Sequence, residues 1–114
     1  MQREAIIQQN VRLAMSEAGA VMFRNQVGAT HTFDGRLIRF GLCIGSSDLI
    51  GWTPVTITPD MVGRTIAVFT ACEVKRPGGK ATEDQLNFIS AVQRAGGFAG
   101  IARTPDEAVA ILKT

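Results

Sequence analysis

The stretch Thr65-Ile66-Ala67-Val68-Phe69-Thr70-Ala71-Cys72-Glu73-Val74-Lys75 decides the fold class. It is β-branched and apolar until its last three residues, the composition of a strand covered on both faces. The run predicts a strand over 65–75 in the centre of a sheet. Downstream, Arg76-Pro77-Gly78-Gly79-Lys80 breaks the strand as a basic, flexible loop. From Thr82 to Ala95 the periodicity turns helical, with Leu86, Ile89 and Val92 facing inward. Thr82 and Gln85 have the spacing of a capping box, and Gly96-Gly97 closes the helix. A short strand follows over 98–102, and Thr104-Pro105-Asp106-Glu107 opens a last helix with an N-cap and a proline in its first turn.

Working upstream, Ile7, Val11, Ala14 and Ala18 recur on one helical face, which predicts a helix over roughly 4–18 ended by Gly19. Residues 20–24 and 36–40 read as short strands separated by a polar loop through Gly28, His31 and Gly35. Gly45-Ser46-Ser47 makes a turn into the short strand Asp48-Leu49-Ile50-Gly51-Trp52, and 54–63 reads as a connector. The predicted order is α-β-β-β-β-α-β-α, an α/β fold with a mixed sheet in one domain over 1–114.

Composition narrows the classes. The 114 residues, 46% hydrophobic and 19% charged, suit a single core. A chain of this size buries roughly two-thirds of its unfolded surface, so no metal or disulfide staple is needed merely to fold. The net charge of +2, from 12 basic against 10 acidic residues, is far below that of a polybasic binder and identifies no partner by itself. The longest uncharged stretch, Leu49 to Pro59, contains two prolines and falls well short of the roughly 18 apolar residues of a membrane span. No apolar run precedes Arg12, so a secretory signal is not expected and a cytoplasmic location is. Cys43 and Cys72 have neither CxxC spacing nor clustered histidines, and both read as small buried hydrophobes.

The chemistry concentrates at three places. Glu73 and Lys75, two apart on a strand, point to one face, while Cys72 and Val74 point to the other. Alone, this pair reads equally well as a solvated strand end with an ion pair. Its setting raises it, because the charges follow eight uncharged residues and precede a glycine-rich basic loop. Asp48 alone is a turn aspartate. Together with Glu73 on an adjacent strand it can hold a hard divalent cation, a backbone carbonyl and waters completing an octahedron around Mg2+. Lys75 beside them is suited to orient or help deprotonate a water. Glu4 continues the apolar stripe of the first helix and faces the sheet, or else only adds a favourable charge of about 0.5 kcal/mol at a helix N-terminus. Glu17 lies off that stripe and is solvated. Gln85 is explained by capping, yet it shares a face with Ile89 and Val92 and can reach a site at the sheet edge.

In this order, Glu4 on a first helix, Gly45-Ser46-Ser47-Asp48 opening one strand, Glu73-Val74-Lys75 ending the next and Thr82-x-x-Gln85 starting a helix, the chain resembles the VRR-NUC domain. That domain is the virus-type replication and repair nuclease branch of the PD-(D/E)XK superfamily, and the resemblance runs from Glu4 to about Ala102. Phe23-Arg24-Asn25-Gln26-Val27-Gly28 and Arg39-Phe40-Gly41-Leu42 resemble the small stand-alone members typical of phages and prophages. The resemblance implies a restriction-endonuclease-like αβββαβ core with a short C-terminal helix. It implies that Asp48, Glu73 and the backbone carbonyl of Val74 bind Mg2+ or Mn2+, and that Lys75 positions the nucleophilic water. Glu4 would be the helix-borne acid and Gln85 the supporting polar residue. Many relatives carry proline just before the aspartate where this chain has Ser47, which leaves the rigidity of that turn open.

The implied function is metal-dependent hydrolysis of DNA by an endonuclease selective for structure, resembling a Holliday-junction resolvase and acting in a bacterial host cytoplasm. So small a domain grips branched DNA best as a twofold homodimer. Recruitment by replication or repair proteins stays open. Restriction-type cleavage of linear duplex and a non-cleaving nucleic-acid-binding or assembly module are the alternatives. Arg24, Arg36 and Arg39 precede the acidic residues and Arg76 and Lys80 follow, and of these Arg24, Arg76 and Lys80 are expected on DNA phosphates. His31 reads as a loop or DNA-contacting residue rather than a ligand, and Trp52 as a packing or interface residue.

Overall fold

Fourteen residues without proline or glycine wind as α1 (Glu4–Glu17), and Gly19, at a φ of 103°, turns the chain out of it. In the computed structural model, which describes residues 3–112, α1 is followed by β1 (Val21–Arg24), β2 (Gly28–His31), β3 (Leu37–Phe40) and β4 (Leu49–Trp52). A single 3-10 turn (Pro59–Met61) then leads to β5 (Thr70–Val74), α2 (Glu83–Arg94), β6 (Phe98–Ala102) and α3 (Pro105–Ile111). The class is α/β, with the described strands in three two-stranded sheets. The chain divides after Thr53 into two compact units.

In the first unit β1 and β4 pair antiparallel, Val21 opposite Trp52 and Arg24 opposite Leu49. Alternation puts Phe23 and Trp52 on one face, where their rings meet at 5.3 Å and 51°, so Trp52 is a packing residue. α1 packs against β1, and Arg12 Nε donates to Met22 O at 3.0 Å. The predicted stripe on α1 is only partly covered. Ile7 and Val11 remain 46% and 44% exposed, because a two-stranded ribbon is too narrow to bury a helix face.

The polar segment read as a loop through His31 is instead half of a hairpin. β2 pairs antiparallel with β3, Gly28 opposite Phe40 and His31 opposite Leu37. Residues 28–31 lack apolar alternation and are recruited into a strand by β3, so the order is α-β-β-β-β-β-α-β-α, one strand more than expected. At the hairpin end Thr32 N donates to Arg36 O and Gly35 N to Thr32 O. The Thr32 hydroxyl, and after it Arg36, donates to Asp34 and holds that carboxyl below its ordinary value of 3.8.

The second unit is built on a parallel β5–β6 ladder, Thr70 opposite Phe98 and Val74 opposite Ala102, with α2 as the crossover. The strand expected over 65–75 is shortened to five residues and, among the described residues, has one neighbour rather than two. The reason is register: β6 begins at Phe98, so the ladder reaches back only as far as Phe69 O, which accepts from Phe98 N at 2.9 Å. Small residues on β6 let helices approach from both sides. Ala99 and Ala102 are buried, and Gly100 lies against Ile111 of α3. Val92 of α2 is 1% exposed. Leu86, expected inward, is 49% exposed, because the inner face of α2 runs Gln85, Ile89, Val92. Both cysteines are exposed rather than buried, Cys43 in a turn and Cys72 on the outward side of β5.

Candidate active site

The alternation of β5 does what the sequence predicts for its last residues. Glu73 is half-buried between exposed Cys72 and exposed Val74, and Lys75, which follows the strand, is half-buried as well. Lys75 N donates to Ala102 O at 3.1 Å, extending the ladder by one bond and fixing the start of its side chain. Nζ of Lys75 lies 3.6 Å from Oε1 of Glu73, with side-chain exposures of 20% and 31%. A partly solvated pair of this kind is worth about 1 kcal/mol or less, so it orients the lysine without locking it away from a third partner.

Gln85 makes both of the contacts its sequence position allows. The Thr82 side chain accepts from Gln85 N at 3.1 Å, and Gln85 Oε1 accepts from Thr82 N at 2.9 Å, a complete capping box. Its Nε2 then donates to Glu73 Oε1 at 2.9 Å. The helix N-terminus is thus tied to the strand carboxylate through one side chain. Oε1 of Glu73 takes both contacts, and Oε2 has no hydrogen-bond partner among the described residues. Asp84 lines the same cleft as Glu73 and Gln85. Sequence reasoning passed it over because an acidic residue in a first helical turn is ordinary; its place one residue before Gln85 was the available signal.

The other predicted acids belong to the first unit. Glu4, the first residue of α1, and Asp48, just ahead of β4, line one cleft with Gln8, Met22, Ser47 and Leu49. Asp48 is exposed, and its side chain has no hydrogen-bond partner among the described residues. Its main-chain oxygen accepts from Asn25 N at 2.7 Å. The strand neighbours differ from expectation: β4 is hydrogen-bonded to β1 and β5 to β6, each acid-bearing strand laddered within its own unit. Which segment a strand pairs with is decided elsewhere in the chain, and sequence patterning did not resolve it.

Of the expected DNA-contacting residues, Arg24 ends β1, and Arg76 and Lys80 flank the turn in which Gly79 N donates to Arg76 O at 2.9 Å. All three are exposed. Arg103, not singled out beforehand, holds this loop through Nη2 donating to Gly79 O at 2.6 Å.

A half-buried carboxylate and lysine two residues apart at a strand end, braced by a helix glutamine, in an α/β chain, are consistent with the plan of a PD-(D/E)XK-type nuclease. Comparison with protein families makes this specific. The model of the VRR-NUC domain matches residues 6–105, and the chain belongs to that family. Neither the curated proteins nor the solved structures return a match. The chain is therefore a nuclease domain, a hydrolase of phosphodiester bonds with DNA as the substrate the family indicates.

Nucleases of this type generally use divalent metals. Among the described residues no three His, Cys, Asp or Glu side chains cluster into a cage. The donors present are hard carboxylate oxygens, Glu4 and Asp48 in one cleft and Glu73 and Asp84 in the other. That chemistry fits Mg2+, which binds through one or two carboxylates plus waters and substrate phosphate rather than through an all-protein cage. It does not fit a structural zinc, which needs four ligands rich in sulfur and imidazole. Among the described residues no helix is long and apolar enough to cross a membrane.

Proposed function

We propose that this protein is a Mg2+- or Mn2+-dependent endodeoxyribonuclease that cuts branched DNA as a homodimer, residues 1–114 acting as one nuclease domain. The observation that carries the reading is the chain of contacts Thr82–Gln85–Glu73–Lys75. It lies inside the matched span 6–105, which also crosses the division after Thr53. Asp48, Glu73 and the Val74 carbonyl would hold the cation, with Glu4 assisting them. When bound, a divalent cation supplies Lewis-acid stabilisation of the charge that develops on the pentacoordinate phosphate. Lys75 holds the attacking water through Nζ and adds positive charge beside the scissile phosphate. Gln85 keeps one oxygen of Glu73 occupied, so that the other is presented in a single orientation. Arg24, Arg76 and Lys80 bind flanking phosphates.

Support for the dimer comes from the β2–β3 hairpin, which among the described residues pairs with no third strand and leaves Leu37, Ile38 and Phe40 exposed. An isolated two-stranded hairpin is marginal in water, so a second copy covering it would stabilise it. A phage or prophage origin, action in a bacterial host cytoplasm and recruitment by replication or repair proteins are compatible with a nuclease of this family.

The test is cleavage of matched linear duplex, flap and four-way-junction DNA in Mg2+ or Mn2+ and in EDTA, by wild type, Glu73→Ala and Lys75→Ala. Paired symmetric nicks on the junction, absent in EDTA and lowered at least 100-fold in both variants, are expected. Equal cutting of all three substrates would remove the structural selectivity. Metal-independent or variant-independent cleavage would remove the site.

A further inference from the structure

The cleft that holds Asp48 is approached by a loop with little intrinsic stiffness. Residues 41–47 include Gly41 at a φ of 85°, and position 47 is serine. A side chain here would need a left-handed backbone, and a Cβ at Gly41 would fall 2.6 Å from Gln26 O and Val27 Cα, so the glycine is required and the loop cannot be stiffened at that point. What fixes the loop is one side chain outside it. Asn25 is the buried polar residue among those described, 8% exposed, in the position immediately after β1.

Asn25 uses its amide and its backbone on four points of the loop. Oδ1 accepts from Leu42 N at 2.9 Å. Nδ2 donates to Ser46 Oγ at 2.7 Å and to Ser47 O at 2.9 Å. Its own N–H donates to Asp48 O at 2.7 Å. Ser46 Oγ passes the constraint on, donating to Cys43 O at 2.7 Å. The two ends of the loop, at Leu42 and at Ser46-Ser47, are thereby referred to one buried side-chain amide, while the main chain of Asp48 is tied to the backbone of the same residue. A buried amide whose bonds are all made resists rearrangement, because any motion of the loop leaves polar groups unpaired away from water.

We infer that Asn25 is a positioning residue for Asp48, clamping loop 41–48 so that the aspartate is held ready for a divalent cation. The inference rests on the proposed role of Asp48 as a donor to that cation. Asn25 does not touch the cation or the DNA; it acts through the loop. It supplies the rigidity that a proline at position 47 would otherwise contribute, since proline restricts the backbone by its ring and the amide restricts it by hydrogen bonds.

The test is Mn2+ binding to the 114-residue chain without DNA, read from the free-ion signal in electron paramagnetic resonance, together with amide exchange at Leu42. Asn25→Ala is expected to weaken Mn2+ binding about 10-fold or more, the usual loss when a group that orients a ligand is removed, and to speed exchange at Leu42. Ser46→Ala, which cuts one branch of the clamp, is expected to weaken binding a few-fold and decides the matter if Asn25→Ala does not melt cooperatively. Val92→Ala, a core change in the other unit, lowers the melting temperature and is expected to leave Mn2+ affinity within about twofold, which separates positioning from general loss of stability. If Asn25→Ala and Ser46→Ala bind Mn2+ as wild type does while Asp48→Ala does not, the positioning role is overturned and the site stands. If Asp48→Ala binds as tightly as wild type, the role of Asp48 falls and the inference with it.

Discussion

Gln85 is the residue at which two kinds of reasoning meet. Capping-box geometry explains its backbone contacts fully, and a residue so explained would ordinarily need no further role. Its Nε2 nevertheless reaches Glu73, so the helix cap and the carboxylate are one hydrogen-bonded unit. Gln85→Ala therefore has two consequences of different size. The cap loses its return bond to Thr82 N, about 0.5–1 kcal/mol of stability, since the Thr82 side chain still accepts from residue 85. Glu73 loses the donor that orients it, and single-turnover cleavage is expected to fall about 10-fold or more at saturating metal. Gln85→Glu keeps the acceptor for Thr82 N but sets a second carboxylate against Glu73, so it should retain the melting temperature better than the alanine variant while cutting no faster. Thermal melting and single-turnover rates on the same preparations check both halves. Glu73, Lys75 and Gln85 were legible because strand alternation and helix capping are local rules. Asn25 and Arg103 were not, because nothing local distinguishes a buried asparagine that ties down a distant loop from a solvated one.

Among the elements, the β1–β4 ribbon is the one on which the proposed site depends most, because Asp48, the proposed cation ligand, leads directly into β4. At Gly51 the backbones come so close that a Cβ would sit 1.8 Å from Val21 O, a main-chain atom that cannot swing aside. Gly51→Ala must part the strands locally, at a cost of about 1–3 kcal/mol for an overpacked contact. The expected result is a lower melting temperature with faster amide exchange at Val21 and Phe23. A melting temperature within a degree of wild type would show the ribbon to be looser than the pairing of Val21 with Trp52 requires. Gly51 illustrates why boundaries and pairings were less legible than element types. The helices, with their caps at Thr82 and Thr104, agree with expectation to within a residue or two. The strands do not: 65–75 is cut to 70–74 by the length of its partner, and 28–31 becomes a strand through its partner β3. A helix bonds within itself, whereas a strand's extent is decided by a segment elsewhere in the chain.

At the scale of the molecule, a net charge of +2 supplies little non-specific attraction for DNA, so selectivity for a branch must come from geometry rather than charge density. In the proposed homodimer, two copies related by a twofold axis would provide that geometry: each would contribute one copy of the proposed site, and a four-way junction offers two equivalent strands. The arrangement makes a prediction that a monomer cannot satisfy. In a heterodimer of wild type with Lys75→Ala, formed by co-expression with two affinity tags, each junction is engaged by one competent and one disabled site. On a supercoiled plasmid carrying an extruded cruciform, wild type is expected to give linear product from paired cuts within the lifetime of the complex. The heterodimer is expected to give nicked circles that persist, because the second strand waits for dissociation and rebinding in the opposite orientation. A heterodimer that linearises the plasmid as fast as wild type would mean that one site cuts both strands in turn, and an active monomer in sedimentation at working concentration would mean the same. Either result would return the exposed residues Leu37, Ile38 and Phe40 of the hairpin to some task other than joining two copies of this chain.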